Sequence, residues 1–330
     1  MSIAVPSRHI PLPDLLDAAR AIYEAAVRTP LIRLDLPFAP EDGPAPEVYL
    51  KLESLQPIGS FKIRGAWNAV RQLTPAQMRD GVWTVSAGNA AQGVALAARK
   101  VGAPCSVMVM DTAPAAKVDA IRRLGASIVP ASYDECWKTV IEHGSDRMKG
   151  HFVHPFDDDR FIAGNGTIGL EILEDLPDVD AIVAPLGGGG LLAGIAAAVG
   201  EARPQTRIFA AEPETAAPLA ASLAAGRAVY FDGWTASFVD GAGGKSVLET
   251  MWPLLQRLTG SLVVSLADTA AAMRLVAERA HVIAEGAAGC AVAAAASGRA
   301  GTGKVVAVVS GGNIDLAKFA SLVTAGPNKS

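Results

Sequence analysis

Ala181-Ile182-Val183-Ala184-Pro185-Leu186-Gly187-Gly188-Gly189-Gly190-Leu191-Leu192-Ala193-Gly194 passes from a short apolar run, through four glycines, into a helical pattern of small residues. A buried strand that ends in glycines and opens directly into a helix is the unit of a parallel α/β sheet, whose ligand loops lie beyond the carboxyl ends of strands. Successive glycine N–H groups converge and the helix adds the positive end of its dipole, so the loop suits a phosphate. Two other readings fit the same residues. A tight strand-to-helix turn needs glycine for close backbone approach alone. Gly188, Gly190 and Ala193 also satisfy G-x-G-x-x-A, and Ile208–Glu212 ends a strand in an acid about twenty residues later, as in a nicotinamide dehydrogenase.

Outward from this unit, short apolar runs alternate with helical patterns. The strand candidates are Val48–Leu52, Val82–Ser86, Cys105–Met110, Ser127–Val129, Ala181–Leu186, Ile208–Ala211, Leu262–Ser265 and Lys304–Val309. Helical spacing covers Asp14–Val27, Ala90–Lys100, Ala115–Leu124, Asp159–Leu173 and Leu191–Glu201. The alternation predicts parallel sheets with helices on both faces. Residues 82–155 read as a compact four-strand unit inserted into a larger domain made of 1–81 and 156–330. Ala39–Pro46 reads as a polar, Pro-rich surface loop.

A chain of 330 residues is long enough for about two domains. Half of it is hydrophobic, only 5% is aromatic, and 33 residues are glycine, so Ala, Val, Leu and Ile build the core. The formal charge of −4 offers no basic field for nucleic acid or a membrane surface. Cys105, Cys136 and Cys290 are odd in number and lack disulfide or zinc spacing. His9, His143, His151, His154 and His281 show no ligand spacing either, and each reads as structural or surface. No signal peptide or apolar span of membrane length is visible, so a soluble cytoplasmic protein is expected.

Three more clusters stand where chemistry is done. Pro57-Ile58-Gly59-Ser60-Phe61-Lys62-Ile63-Arg64-Gly65 sets an amine beside an aromatic ring and behind a glycine turn, which suits imine formation with an aldehyde cofactor. Alone, Lys62 reads first as a solvated helix lysine, as most lysines are. Ser86-Ala87-Gly88-Asn89-Ala90-Ala91-Gln92-Gly93 opens a helix with amides and a hydroxyl that fit a carboxylate, or that merely cap the helix. Ser310-Gly311-Gly312-Asn313 closes the last strand.

Taken together and in this order, these motifs resemble the fold-type II pyridoxal-phosphate enzymes (tryptophan synthase β-like), specifically the serine/threonine dehydratase and serine racemase family. The resemblance runs through Thr29-Pro30-Leu31, Lys51-Leu52-Glu53, the SFK-x-RG run, SAGN, His154-Pro155-Phe156-Asp157, Ala163-Gly164, Gly166-Thr167, the tetraglycine loop, Ala211-Glu212-Pro213 and SGGN, nearly the whole chain. The dehydrogenase reading explains one of these motifs. The resemblance implies pyridoxal 5'-phosphate carried by Lys62 as an imine, with Phe61 beside the ring, Asn89 on its phenolic oxygen and Ser310 at its pyridine nitrogen. It gives the phosphate to Gly187, Gly188, Gly189, Gly190 and Leu191, and the substrate carboxylate to Ser86, Ala87, Asn89 and Ala90. Glu285 would lie near the ring.

The implied reaction is dehydration of a β-hydroxy-L-amino acid of the threonine or serine type to a 2-oxo acid and ammonia, in a homodimer. Racemase, β-replacement synthase and non-catalytic amino-acid binder remain alternatives on the same scaffold. Departures from the family pattern carry expectations of their own. Racemases carry Ser where this chain has Ala87, so racemisation is expected only as a side reaction. Pro218 stands six residues after Glu212 in place of a metal-binding carboxylate, so no metal is expected. Asn165 replaces a usual Gln. Little sequence follows the SGGN turn, so no regulatory domain and no isoleucine inhibition are expected. Ala90 replaces an imidazole beside the carboxylate loop, which would leave room for a larger β-substituent such as the phenyl of phenylserine, with Phe156 as an apolar wall.

Overall fold

The computed structural model describes residues 8–37 and 45–324. Ten strands form two sheets: β1 Leu31–Arg33, β2 Glu47–Lys51, β3 Val82–Val85, β4 Cys105–Met110, β5 Ser127–Ala131, β6 His151–Phe152, β7 Ala181–Pro185, β8 Arg207–Pro213, β9 Gly260–Val264 and β10 Lys304–Val308. The first sheet has the order β1-β2-β10-β7-β8-β9 and the second β5-β4-β3-β6. All pairs are parallel except β1, which runs antiparallel to β2. Parallel strands must be covered on both faces, and the central β7 is buried at every position.

The strand and helix spacings expected from the sequence meet observed elements to within a few residues. Three features depart from them. β1 and β6 are too short to show a period, and β1 makes the sheet edge antiparallel. The Asp14–Val27 pattern is a helix only over Leu12–Ala21, followed by a 3₁₀ turn at Ile22–Glu24. Its continuation is pre-empted by Gln56, whose amide accepts from Val27 N at 2.9 Å and donates to Val27 O at 2.8 Å. Most of the 39–46 loop lies outside the described residues.

The helix Lys62–Val70 occupies the seam between the two sheets. It packs on the helix Asn89–Val101, which follows β3, and on the helix Asp159–Asp175, which covers the larger sheet. The second approach is backbone to backbone: a Cβ at Gly164 would stand 2.4 Å from Arg64 O. One face of the larger sheet is covered by the helices Leu12–Ala21, Asp159–Asp175 and Gly190–Ala202. Leu266–Ala280 and the alanine-rich Gly286–Ala296, buried through Ala295, cover the other.

Under the seam lies a dry charge network. Arg64 is fully buried and donates to Glu53 from Nε (2.8 Å) and Nη2 (2.8 Å), and to Glu171 from Nη1 (2.6 Å) and Nη2 (3.0 Å). Lys51 Nζ, equally buried, lies 2.7 Å from Glu171 Oε2 and donates to Thr29 O at 2.8 Å. Two cations and two anions thus neutralise one another, tying the end of β2 to the first turn of the Lys62 helix. Arg64→Met would leave Glu53 and Glu171 one cation short in a medium that does not solvate them. The expected loss is about 3–5 kcal/mol, read from urea unfolding, whereas Arg274→Met at the exposed Arg274–Glu278 pair should change stability by less than about 1 kcal/mol.

Candidate active site

Three neighbouring strands of the larger sheet, β2, β10 and β7, send their following segments to one place: residues 53–62, 310–313 and 187–190. A bridge between Ser60 and Gly311, with Phe61 N donating to Ser310 O at 3.0 Å, locks the first two together. The loop after β3, at the middle of the smaller sheet, faces them. Between them lies a cavity of about 380 Å³ lined by Phe61, Lys62, Ser86–Ala90, Phe156, Gly187–Leu191, Lys117, Asp240, Glu285, Ser310 and Asn313, among others. Every residue that the sequence reading assigned to cofactor or substrate is on this wall.

Lys62 reaches into the cavity from the start of its helix, and its Nζ donates to Pro155 O at 2.5 Å. The Phe61 and Phe161 rings both stand 5.3 Å from Nζ. Burial among these groups pulls the ammonium from its usual 10.5 down to about 8, although the Glu285 carboxylate pushes the other way. A neutral amine is therefore within reach near physiological pH.

Two backbone cradles flank the amine. Among the described residues, the N–H groups of Gly187, Gly188, Gly189, Gly190 and Leu191 have no hydrogen-bond partner, and they open a 13-residue helix. The loop cannot retreat from the cavity: a Cβ on Gly188 would lie 2.1 Å from the Phe156 ring, and Gly189 sits at φ +92. Five converging donors at a helix N-terminus fit a phosphate. The second cradle is the loop after β3, where the N–H groups of Ala87, Asn89 and Ala90 are similarly free and Gly88 N donates to Ser86 Oγ at 3.1 Å.

The remaining wall is polar but almost uncharged. Asn89 Nδ2 donates to Glu285 Oε1 (2.9 Å) and Oε2 (3.2 Å), and Asn313 Nδ2 donates to Asn89 Oδ1 (2.8 Å) and Ile58 O (2.7 Å). Burial pushes the Glu285 carboxyl up to about 7, against the opposing hydrogen bond from Asn89. Ser310 is buried at the end of β10, and its hydroxyl has no protein partner among the described residues. At the rim, Lys117, in the helix Ala115–Arg123 that follows β4, pairs with Asp240 of the 3₁₀ turn Asp240–Ala242.

Several contributors were not visible in the sequence reading. Pro155 acts through its carbonyl alone. The turn that carries it is organised by His154, whose Nδ1 accepts from Asp157 N at 2.8 Å and whose Nε2 lies 3.1 Å from Val140 O. Burial pushes this imidazole down to about 4, so it is neutral at pH 7. His143 and Asp157 complete a three-residue cluster with it, which sequence spacing had not suggested. Both His154 nitrogens are already committed, and Asp157 pairs with Arg8. Glu212 accepts from Leu219 N and Ala220 N, both at 2.8 Å, and so caps the helix that begins at Pro218.

The match to a family model described as "Pyridoxal-phosphate dependent enzyme" spans residues 22–311. The chain belongs to the pyridoxal-phosphate dependent enzyme family. Its cofactor is pyridoxal phosphate, and the dehydrogenase alternative falls. An L-threonine ammonia-lyase from Thermotoga maritima is 38% identical over 97% of this chain and 80% of the relative. The catabolic L-threonine dehydratase TdcB of Escherichia coli is 38% identical over 84% of this chain and 85% of its own. Among solved structures, maize serine racemase matches with TM-score 0.85 at 31% identity, covering 96% of this chain and 97% of that one. The processed threonine deaminase isoform 2 of Solanum lycopersicum matches with TM-score 0.83 at 33% identity, covering 96% and 94%.

Two outcomes follow. Loading of the apoprotein with pyridoxal phosphate, followed by absorbance, requires the neutral form of an amine whose pKa is depressed. Its rate should rise about tenfold per pH unit below pH 8 and level off above it. Gly188→Ala pushes a methyl into the Phe156 ring or the loop into the cavity, and should weaken cofactor binding by about tenfold or more in the same titration.

Proposed function

We propose that this pyridoxal-phosphate-dependent ammonia-lyase converts an L-β-hydroxy-α-amino acid, threonine or serine first, to a 2-oxo acid and ammonia. The observation that carries the reading is the amine of Lys62, depressed to about 8, between two cradles of free amides that fit a phosphate and a carboxylate. The relatives named for threonine support the same substrate class. Residues 1–81 and 156–330 would form the cofactor domain, and 82–155 the inserted domain that brings the carboxylate cradle.

In this reading the amides of Gly187–Leu191 would hold the cofactor phosphate, Lys62 would carry it through its aldehyde, and Phe61 would pack beside it. Asn89, backed by Glu285, and Ser310 would hydrogen-bond its ring oxygen and nitrogen. The bound cofactor supplies the electron sink that makes an α-proton removable. Ser86, Ala87, Asn89 and Ala90 fix the substrate carboxylate and so set the Cα–H bond toward Lys62. The substrate amine takes the place of Lys62 on the cofactor, and the freed Lys62 Nζ takes that proton, with Pro155 O to hold the resulting ammonium in place. The same ammonium protonates the departing β-hydroxyl, which leaves as water, and the released enamine hydrolyses to the oxo acid and ammonia.

Ser310 brings a hydroxyl where a carboxylate would favour a strong electron sink, so prompt loss of the β-group is the easier course. Ala87 lines the cavity with a methyl, leaving Lys62 as the acid–base group on one face and disfavouring racemisation. A β-substituent larger than methyl belongs to the same proposal, and the small Ala90 on the cavity wall supports it. A cytoplasmic homodimer is proposed as the working form, and light scattering tests the dimer.

Lys62→Ala removes the anchor and the proton carrier together. Production of 2-oxobutanoate from L-threonine should fall by about 10³-fold or more, with the circular dichroism spectrum unchanged. Retention of the wild-type rate would overturn the assignment.

A further inference from the structure

Behind the loop after β3 lies a second cavity, of about 150 Å³. Its wall is Met108 and Met110 of β4 together with Tyr133, Cys136, Trp137 and Val140 of the helix Tyr133–Glu142. No charged residue lines it. The thiol of Cys136 is held up at about 11 by burial and is uncharged at neutral pH. Ser86 is the polar residue on its inner side, and its hydroxyl already accepts from Gly88 N.

This recess shares a wall with the active site. Val85, Ser86 and Ala87 line both cavities, as do Met110 and Val140. The residues that divide the two spaces are thus the ones facing the substrate carboxylate. On the outer side Tyr133 forms the lip, and Lys245 from the larger unit stands over its ring at 4.7 Å and over the Trp234 ring at 4.3 Å. A recess of about 150 Å³ with aliphatic and aromatic walls has room for a benzene-sized ring.

We infer that this recess is the specificity pocket for the β-substituent, and that it selects an apolar group of ring size over the methyl of threonine. Resting on the ammonia-lyase reading, the inference names the substrate class as an L-β-hydroxy-α-amino acid with an aryl or branched alkyl group on Cβ. It also finds room behind Ser86 and Ala87, beside the helix Tyr133–Glu142, in addition to that at Ala90, which does not line the recess. A charged β-substituent finds no partner there and is rejected.

The test uses holoenzyme with L-threonine, L-threo-phenylserine and the unreactive L-phenylalanine. Cys136→Leu fills the recess from a residue that does not line the main cavity, and Trp137→Ala removes one of its walls. The expected result is kcat/KM for phenylserine at or above that for threonine. Cys136→Leu should then lower the phenylserine value by about tenfold or more while threonine changes by less than about twofold. Calorimetry should show L-phenylalanine bound about tenfold more weakly by the same variant. If Cys136→Leu does not fold, Trp137→Ala decides, with the same selective loss expected.

Threonine turnover with phenylserine about 100-fold poorer, or losses equal for both substrates in both variants, overturns the recess and leaves the ammonia-lyase reading standing. Turnover of neither substrate, with L-phenylalanine binding that Cys136→Leu weakens, overturns the ammonia-lyase reading and keeps the recess.

Discussion

The interaction on which the rest depends is the buried box of Lys51, Glu53, Arg64 and Glu171. Arg64 meets Glu53 through Nε and Nη2, and Glu171 through Nη1 and the same Nη2. A planar guanidinium serves this geometry where an ammonium would not. Desolvating four charges is costly, and the box is a poor source of stability compared with packed hydrocarbon. What it provides is position. Arg64 is two residues beyond Lys62, so the box fixes the first turn of that helix in register with the end of β2, on the edge of both sheets. Any rotation of the helix that would swing the amine away from Pro155 would also unpair charges that have no water to replace their partners.

Much of the fold was legible because parallel strands buried on both faces read as uninterrupted apolar runs. Ala181–Pro185 and Lys304–Val308 could hardly be anything else. The candidate site was legible where backbone amides line the cavity: glycine, serine and asparagine clusters at strand ends leave a trace in composition. It was not legible where a side chain's role depends on a distant neighbour. Lys51, Glu53 and Arg64 carry no sign in sequence that they are desolvated, since charged residues usually lie on a solvated face. Pro155 contributes a carbonyl that any residue has. His143 and His154, eleven positions apart, meet because the first ends a helix in the left-handed region at φ 53 and the second begins a turn.

The electrostatics of the cavity follow from the same division of labour. Anions are received by free amides, which carry partial charge without a side chain to order and without a counterion to displace. With few formal charges on the wall, the local dielectric stays low enough to hold Lys62 near 8 and Glu285 near 7. An arginine in either cradle would bind its anion more strongly but would drive the neighbouring amine further toward neutrality and restrict its return of the proton. Amide cradles leave the amine poised between its two protonation states, which a group that must accept and then give back one proton requires.

The two ends of the seam are built to opposite standards. At the base, Lys51, Glu53, Arg64 and Glu171 are buried together among the elements of the larger sheet, so the network holds the Lys62 helix on that sheet. At the mouth, Lys117 and Asp240 are 38% and 60% exposed, and a pair of this kind contributes about 0–1 kcal/mol. The Lys245 contacts with Tyr133 and Trp234 are of the same modest order, about 0.5–1 kcal/mol for a cation near a ring at an exposed site. A Lys62 helix held rigidly below and a mouth fastened lightly above would admit a small substrate, on the proposed reading, without disturbing Lys62. That combination follows from the placement of the charges alone: the buried box sits beside Lys62 on the larger sheet, and Lys117, in the helix that follows β4, meets Asp240 at the rim.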